Sequence, residues 1–197
     1  MFDVCKMDLI LDGEVLNEPE LLAKYGKVRI MQVVIGCKRT SGVVDEFYIN
    51  YADTLGVVLN KGMFISVTGE IRTINKKETK SPVKSFIFAD SITVLDSEPD
   101  LYKNKVIMNN AIIDEILESR KSYSSDEDVA VYLLELRRQH SRYSYIKATS
   151  WGRDAVFLSN VVKSSKPATI RARLQSYRSK SGNLYITLAV YFIELTD

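Results

Sequence analysis

The sequence predicts an all-β chain folded as two tandem copies of one small barrel, with one short helix in each copy. Three observations carry that expectation. Short apolar stretches alternate with polar residues at the period of a strand. The polar segment "DSEPDLYKN" divides the chain of 197 residues into two nearly equal parts. The parts then repeat the same order of features, which is how a duplicated structural unit reads in sequence.

Each half opens on a short apolar strand, "LILDGEVL" from Leu9 and "VIMNNAII" from Val106. A second strand follows in each, "VRIMQVVIG" from Val28 and "VAVYLLELR" from Val129, and then a tyrosine-bearing third, "FYINYA" and "YSYIKATSW". Next come stretches with helical apolar spacing. In "DTLGVVLNKG" the residues Leu55, Val58 and Leu59 share a stripe, as do Ala155, Leu158 and Val162 in "GRDAVFLSNVVKSS". A fourth strand alternates Ile65, Val67, Gly69 and Ile71 with polar neighbours, matched by Ala168, Ile170, Ala172 and Leu174 in the second half. A basic, turn-rich loop ("NKKETKSPVK"; "RSKSGN") and a closing strand complete each unit. Five strands with a helix between the third and fourth is the order of the OB-fold, a five-stranded Greek-key barrel. The expected division is residues 1–97 and 105–197, with 98–104 as linker.

Composition excludes several function classes. With 46% hydrophobic and 26% charged residues the chain reads as globular. No apolar run approaches the roughly 18 residues that cross a bilayer. The start, "MFDVCKMDLILDG", carries acids where a secretory leader carries bases, so a cytoplasmic location is expected. Two isolated cysteines, Cys5 and Cys37, read as thiols and not a disulfide. One histidine, His140, and no cysteine cluster leave neither a zinc site nor a histidine-based triad its parts. The sequence has no phosphate-cradling glycine loop and no nucleophile elbow, so no enzyme, cofactor or metal is expected. Residues 1–97 hold 12 Lys/Arg against 13 Asp/Glu, a balance of −1; residues 98–197 hold 15 against 12, a balance of +3.

Alternation along "YIKATSW" puts Tyr145, Lys147, Thr149 and Trp151 on one face and Ile146, Ala148 and Ser150 on the other. The second set suits a core, which leaves an aromatic and basic face for a partner. "NKVIMNN" resembles the opening strand of the bacterial single-stranded DNA-binding protein family. "YIKATSWGRDAVFLSNVV" is similar to that family's third strand and helix, and "ATIRARLQSYRSKSGNLYIT" to its fourth strand, basic aromatic-tipped loop and return strand. In the first half "MDLILDGEVLNEPEL" and "GMFISVTGEIRT" resemble its first hairpin and the strand after its helix. Family members usually carry one such domain and an acidic recruiting tail, whereas this chain stops at "ELTD", so the tail's role is not carried over.

The resemblance implies a non-catalytic coat for single-stranded DNA, acting in replication, recombination and repair. It places Tyr145 and Trp151 at stacking positions and Tyr177 near the loop tip. Lys147 lies between the first two. Arg138 and Arg142 flank the loop before this strand, Arg171 and Arg173 point out of strand four, and Arg178 and Lys180 follow. Trp151 could equally seal the barrel; Tyr185 and Tyr191 read as packing, and Tyr132 is unassigned. In the first half Tyr48 takes the place of Tyr145, Asn50 replaces Lys147, and the basic loop offers Arg72, Lys76, Lys77, Lys80 and Lys84. The second half is expected to be the stronger binder. A homodimer would supply four barrels, the number that family assembles; pairing of the two halves within one chain is the alternative. Replication proteins are the expected protein partners. RNA is an alternative ligand, because stacking does not distinguish sugars. A primosomal replication-restart accessory protein and an OB-fold protein–protein adaptor are the alternative functions.

Overall fold

The computed structural model describes residues 4–75, 80, 82–139, 142–161 and 167–196. The first half holds β1 (Lys6–Val15), β2 (Glu20–Tyr25), β3 (Val28–Lys38), β4 (Val44–Ala52), a 3₁₀ turn (Asp53–Leu55), β5 (Phe64–Asn75) and β6 (Pro82–Val94). The second holds β7 (Asn104–Lys121), β8 (Asp128–Arg138), β9 (Arg142–Trp151), α1 (Arg153–Val161), β10 (Pro167–Arg178) and β11 (Leu184–Leu195). Between β6 and β7 the chain runs without strand or helix.

The second half closes in the order β7-β8-β9-β11-β10-β7, with β9 and β11 parallel and the other neighbours antiparallel. That circuit is an OB barrel. The first half follows the same circuit, β1-β3-β4-β6-β5-β1, with β4 and β6 as its parallel pair. The tandem OB-fold expected from the repeat is therefore the architecture. One difference lies at the start of each barrel. The 18-residue β7 serves both β10 and β8, turning near Asn110, whose φ of 62° is left-handed. In the first half Pro19, which cannot donate to a ladder, interrupts the same run, and β1 and β2 share the work.

The expected first-half helix is absent. Only the turn Asp53–Leu55 forms, ended by Gly56 at φ 68°; Val58 is exposed and Leu59 alone of the proposed stripe is buried. The β-branched pair Val57-Val58 beyond that glycine does not favour renucleation, since a first helical turn is costly. In the second half the helix forms with Ala155 and Leu158 buried; Val162 lies outside the described residues.

The two barrels are joined by antiparallel pairing of their first strands, β1 with β7, from Lys6↔Asn109 to Leu11↔Asn104. Their interiors form one continuous apolar cluster, from Leu9, Ile35 and Phe47 to Met108, Leu134 and Ile170. Tyr132 belongs to it, fully buried, its hydroxyl 2.8 Å from Ser150 Oγ. Cys5 and Cys37 are free thiols, both pushed up to about 12 by burial first and nearby carboxylates second.

A second seam binds the halves through matched strand positions. The Thr73 N–H donates to Ser144 Oγ at 3.3 Å and the Tyr145 N–H to Thr73 Oγ1 at 3.1 Å. The Ser176 N–H donates to Asp45 Oδ1 and the Glu46 N–H to Ser176 Oγ, each at 2.9 Å. Thr73 and Ser176 are equivalent, each two residues beyond the pairs Ile71↔Ile87 and Leu174↔Leu188. The seam is thus a pseudo-two-fold exchange, reinforced by the Ile186 N–H on Ser85 Oγ at 2.7 Å. Each such bond contributes about 0.5–1.5 kcal/mol.

Candidate nucleic-acid interface

From Tyr143 to the end of β9 burial alternates: Ser144, Ile146, Ala148 and Ser150 are buried, while Tyr145, Lys147, Thr149 and Trp151 lie on the opposite face. Register extends that face across the sheet, because paired residues project to the same side. Lys147 pairs with Thr187 and Thr187 with Gln175; Thr149 pairs with Ala189 and Ala189 with Arg173. One step toward the loops, Tyr185 pairs with Tyr177, their rings stacked at 5.3 Å and 20°. Tyr185 therefore packs, as expected, but as the support of an exposed ring: Tyr177 leaves 44% of its surface to solvent. Trp151, at the end of β9, is 40% exposed and does not seal the barrel. Gly152, at φ 60°, makes the turn into α1 directly after it.

The cations divide into three groups. Lys147 and Arg173 are exposed within the face, and Lys180 is exposed in the turn between β10 and β11. Arg171 is exposed over the Phe192 ring at 4.7 Å. Arg178 is engaged: it pairs with Glu46 of the first half and donates to the Gly182 carbonyl at 3.0 Å. Arg138 and Arg142 leave the face altogether. Arg142 is one residue out of step with Tyr143 and Tyr145, and both arginines line a cavity at the junction of the halves, together with Arg72. Arg72 also pairs with Glu70 at 3.2 Å and lies 4.0 Å over the Phe88 ring. Lys76 and Lys77 lie outside the described residues.

Tyr145 is more confined than an open platform. Its hydroxyl donates to Glu135 at 3.1 Å, and Lys80 of the first half stands 5.6 Å over the ring while gripping both Asp114 oxygens at 2.7 Å. Burial first, then the Glu135 carboxylate, pushes the phenol up to about 12, so it remains a neutral donor. Lys80 of the first half therefore reaches across the second half's third strand. The second half answers with Arg178 on Glu46.

That exchange corrects the alignment of the two halves. Asp45 and Ser144 make equivalent contacts, so Glu46, and not Tyr48, stands where Tyr145 stands, and Tyr48 corresponds to Lys147. A two-residue slip keeps every side chain on its face, so alternation could not detect it. Tyr48 is half-buried under Lys84, 5.1 Å over its ring.

Sequence reasoning passed over two hairpin tips. Tyr25, between Lys24 and Lys27, ends β2 and is 71% exposed; Tyr123, past Arg120 and Lys121, is 90% exposed with the Arg120 guanidinium 4.2 Å over its ring. An aromatic beside bases and a glycine or serine was the signal available. Among the described residues no group of three His, Cys, Asp or Glu side chains could hold a metal ion, and no helix is long and apolar enough to cross a membrane.

The circuit of each half defines the chain as a tandem OB-fold protein, and comparison with solved structures agrees. The wild-type single-stranded DNA binding protein from Thermus aquaticus is similar over 99% of this chain and 95% of its own, with a TM-score of 0.74 and 17% identity. A deletion mutant of the Thermus aquaticus single-stranded DNA binding protein is similar over 98% and 95%, with a TM-score of 0.74 and 16% identity. At that identity the likeness is one of fold. No protein-family model and no curated protein sequence matches.

Proposed function

We propose that this chain is a non-catalytic single-stranded DNA-binding protein that serves in replication, recombination and repair in the cytoplasm. The observation that carries the reading is the row formed by the stacked pair Tyr177–Tyr185, set in register with Lys147, Thr149 and Arg173 on neighbouring strands. Single strands are held without sequence preference by bases stacked on aromatic rings beside a track of cations. The Thermus aquaticus protein of the same fold is described as binding single-stranded DNA, which supports the same ligand class here. Lys147, Arg171, Arg173 and Lys180 serve the phosphates, Tyr177 and Trp151 the bases, and Tyr145 accepts a base edge if Lys80 swings aside. Two chains would bring four barrels together; sedimentation of a monomer under binding conditions would remove that assembly.

Titration of Trp151 fluorescence with poly-dT tests the reading. Quenching is expected, with an affinity that falls steeply with salt, at a log–log slope of about −0.7 per phosphate contact. Poly-rU in parallel tests the sugar. Absence of binding at low salt would overturn the reading.

A further inference from the structure

The cavity that holds Arg72, Arg138 and Arg142 belongs to neither barrel's aromatic face. It occupies ≈ 470 Å³ where the start of β1, with β5 and β6, meets the ends of β8 and β9. Its floor is apolar, from Met7, Ile71 and Leu136, and the three arginines converge on it from three different strands. The acids present are Glu70, engaged by Arg72 at 3.2 Å, and Asp90, whose carboxyl is pushed up by burial and by Glu70. Arg138 lacks such an answer: its Nε is shielded from solvent and has no hydrogen-bond partner among the described residues. Burial, Arg72 and Arg142 each push that guanidinium down, while Glu70 alone opposes them.

A shielded donor without an acceptor, facing two further cations, is a site short of an anion. The guanidinium fork matches the oxygens of a phosphate in spacing and plane. The volume falls within the range of about 300–1,000 Å³ typical of small-ligand clefts, more than a bare ion needs.

We propose that this junction cavity binds a phosphate group, and that the group is a phosphodiester of a single strand crossing from one half to the other. The choice of source rests on the proposed DNA-binding function; the phosphate chemistry does not. Because β5 of one half and β8 and β9 of the other supply the arginines, the site exists only while the barrels are docked. Binding there couples occupancy of the strand to the docked state.

The test compares the full chain with Arg138→Gln and with Arg142→Gln, an exposed position whose replacement leaves the core untouched. Two readouts are taken: the salt slope of oligo-dT binding, and the melting temperature with and without thymidine 5′-monophosphate. A slope shallower by about 0.7 in each variant, with affinity down roughly tenfold and no effect of the mononucleotide, establishes a strand phosphodiester. A mononucleotide that raises the melting temperature of the full chain but not of Arg138→Gln, with oligonucleotide slopes unchanged, keeps the phosphate site and assigns it to a free nucleotide. Unchanged slopes and no mononucleotide effect overturn the proposal while DNA binding stands. If the full chain fails to bind oligo-dT at all, the DNA-binding reading falls and the mononucleotide readout alone decides the cavity.

Discussion

Tyr177 and Tyr132 show how the same side chain serves two ends. Tyr132 is sealed in the core with its hydroxyl on Ser150, so its ring contributes packing and its oxygen is satisfied. Tyr177 rests one face on Tyr185 and leaves the other open. A ring held from below loses little freedom when a base settles on it. Tyr177→Ala is therefore expected to weaken oligonucleotide binding by about 1–3 kcal/mol with little change in melting temperature, measured by titration beside thermal unfolding. Equal affinity would show that the ring serves the fold. Gly69 marks the opposite kind of residue, where any side chain is excluded: a Cβ there would lie 2.2 Å from the Phe88 carbonyl oxygen, beside the register shift between β5 and β6.

Among elements, β9 was the most legible, because one of its faces is fully buried and the other is not; burial follows the alternation residue by residue. β8 was opaque for the converse reason. Val129, Ala130, Tyr132, Leu133, Leu134 and Leu136 are all buried, so "VAVYLLEL" carries no period from which to orient Tyr132. The candidate site was legible where it depends on one strand and illegible where it depends on two halves meeting. Lys147, Arg173 and Trp151 lie on the faces where alternation put them, and the exposed Tyr177 lies near the loop where the resemblance put it. The engagement of Arg178 by Glu46, the lid of Lys80 over Tyr145, and the withdrawal of Arg138 and Arg142 into a junction arise from contacts across about 30 to 130 residues, which no local pattern records. The missing first-half helix has a local cause, Gly56 and the two valines after it, but the spacing of Leu55, Val58 and Leu59 read as a helical stripe across that glycine.

At the scale of the molecule, the two barrels share a first-strand ladder, one apolar cluster and a reciprocal seam, so neither face can be judged by cutting the chain at 98–104. Separation would expose the edges of β1 and β7 and strip Ser144, Ser176 and Thr73 of their partners. The contribution of each half to binding is better read in the intact chain. The second half carries the +3 balance and the open aromatic-cation row, while the first turns Tyr48 under Lys84 and has Glu46 where Tyr145 would be. Replacing Lys147 and Arg173 together by Ala removes two exposed cations of that row. Replacing Tyr48 and Lys84 together removes the first half's ring at the position of Lys147 and the cation that covers it. The second-half double variant is expected to lower the affinity for poly-dT by roughly tenfold or more and to flatten its salt slope by about 1.4, two contacts' worth. The first-half variant is expected to change both by less than half as much. Equal losses from the two would mean that the strand runs over both barrels alike. A larger loss from the first half would mean that the charge balance of the halves has been misread as a guide to the ligand's path.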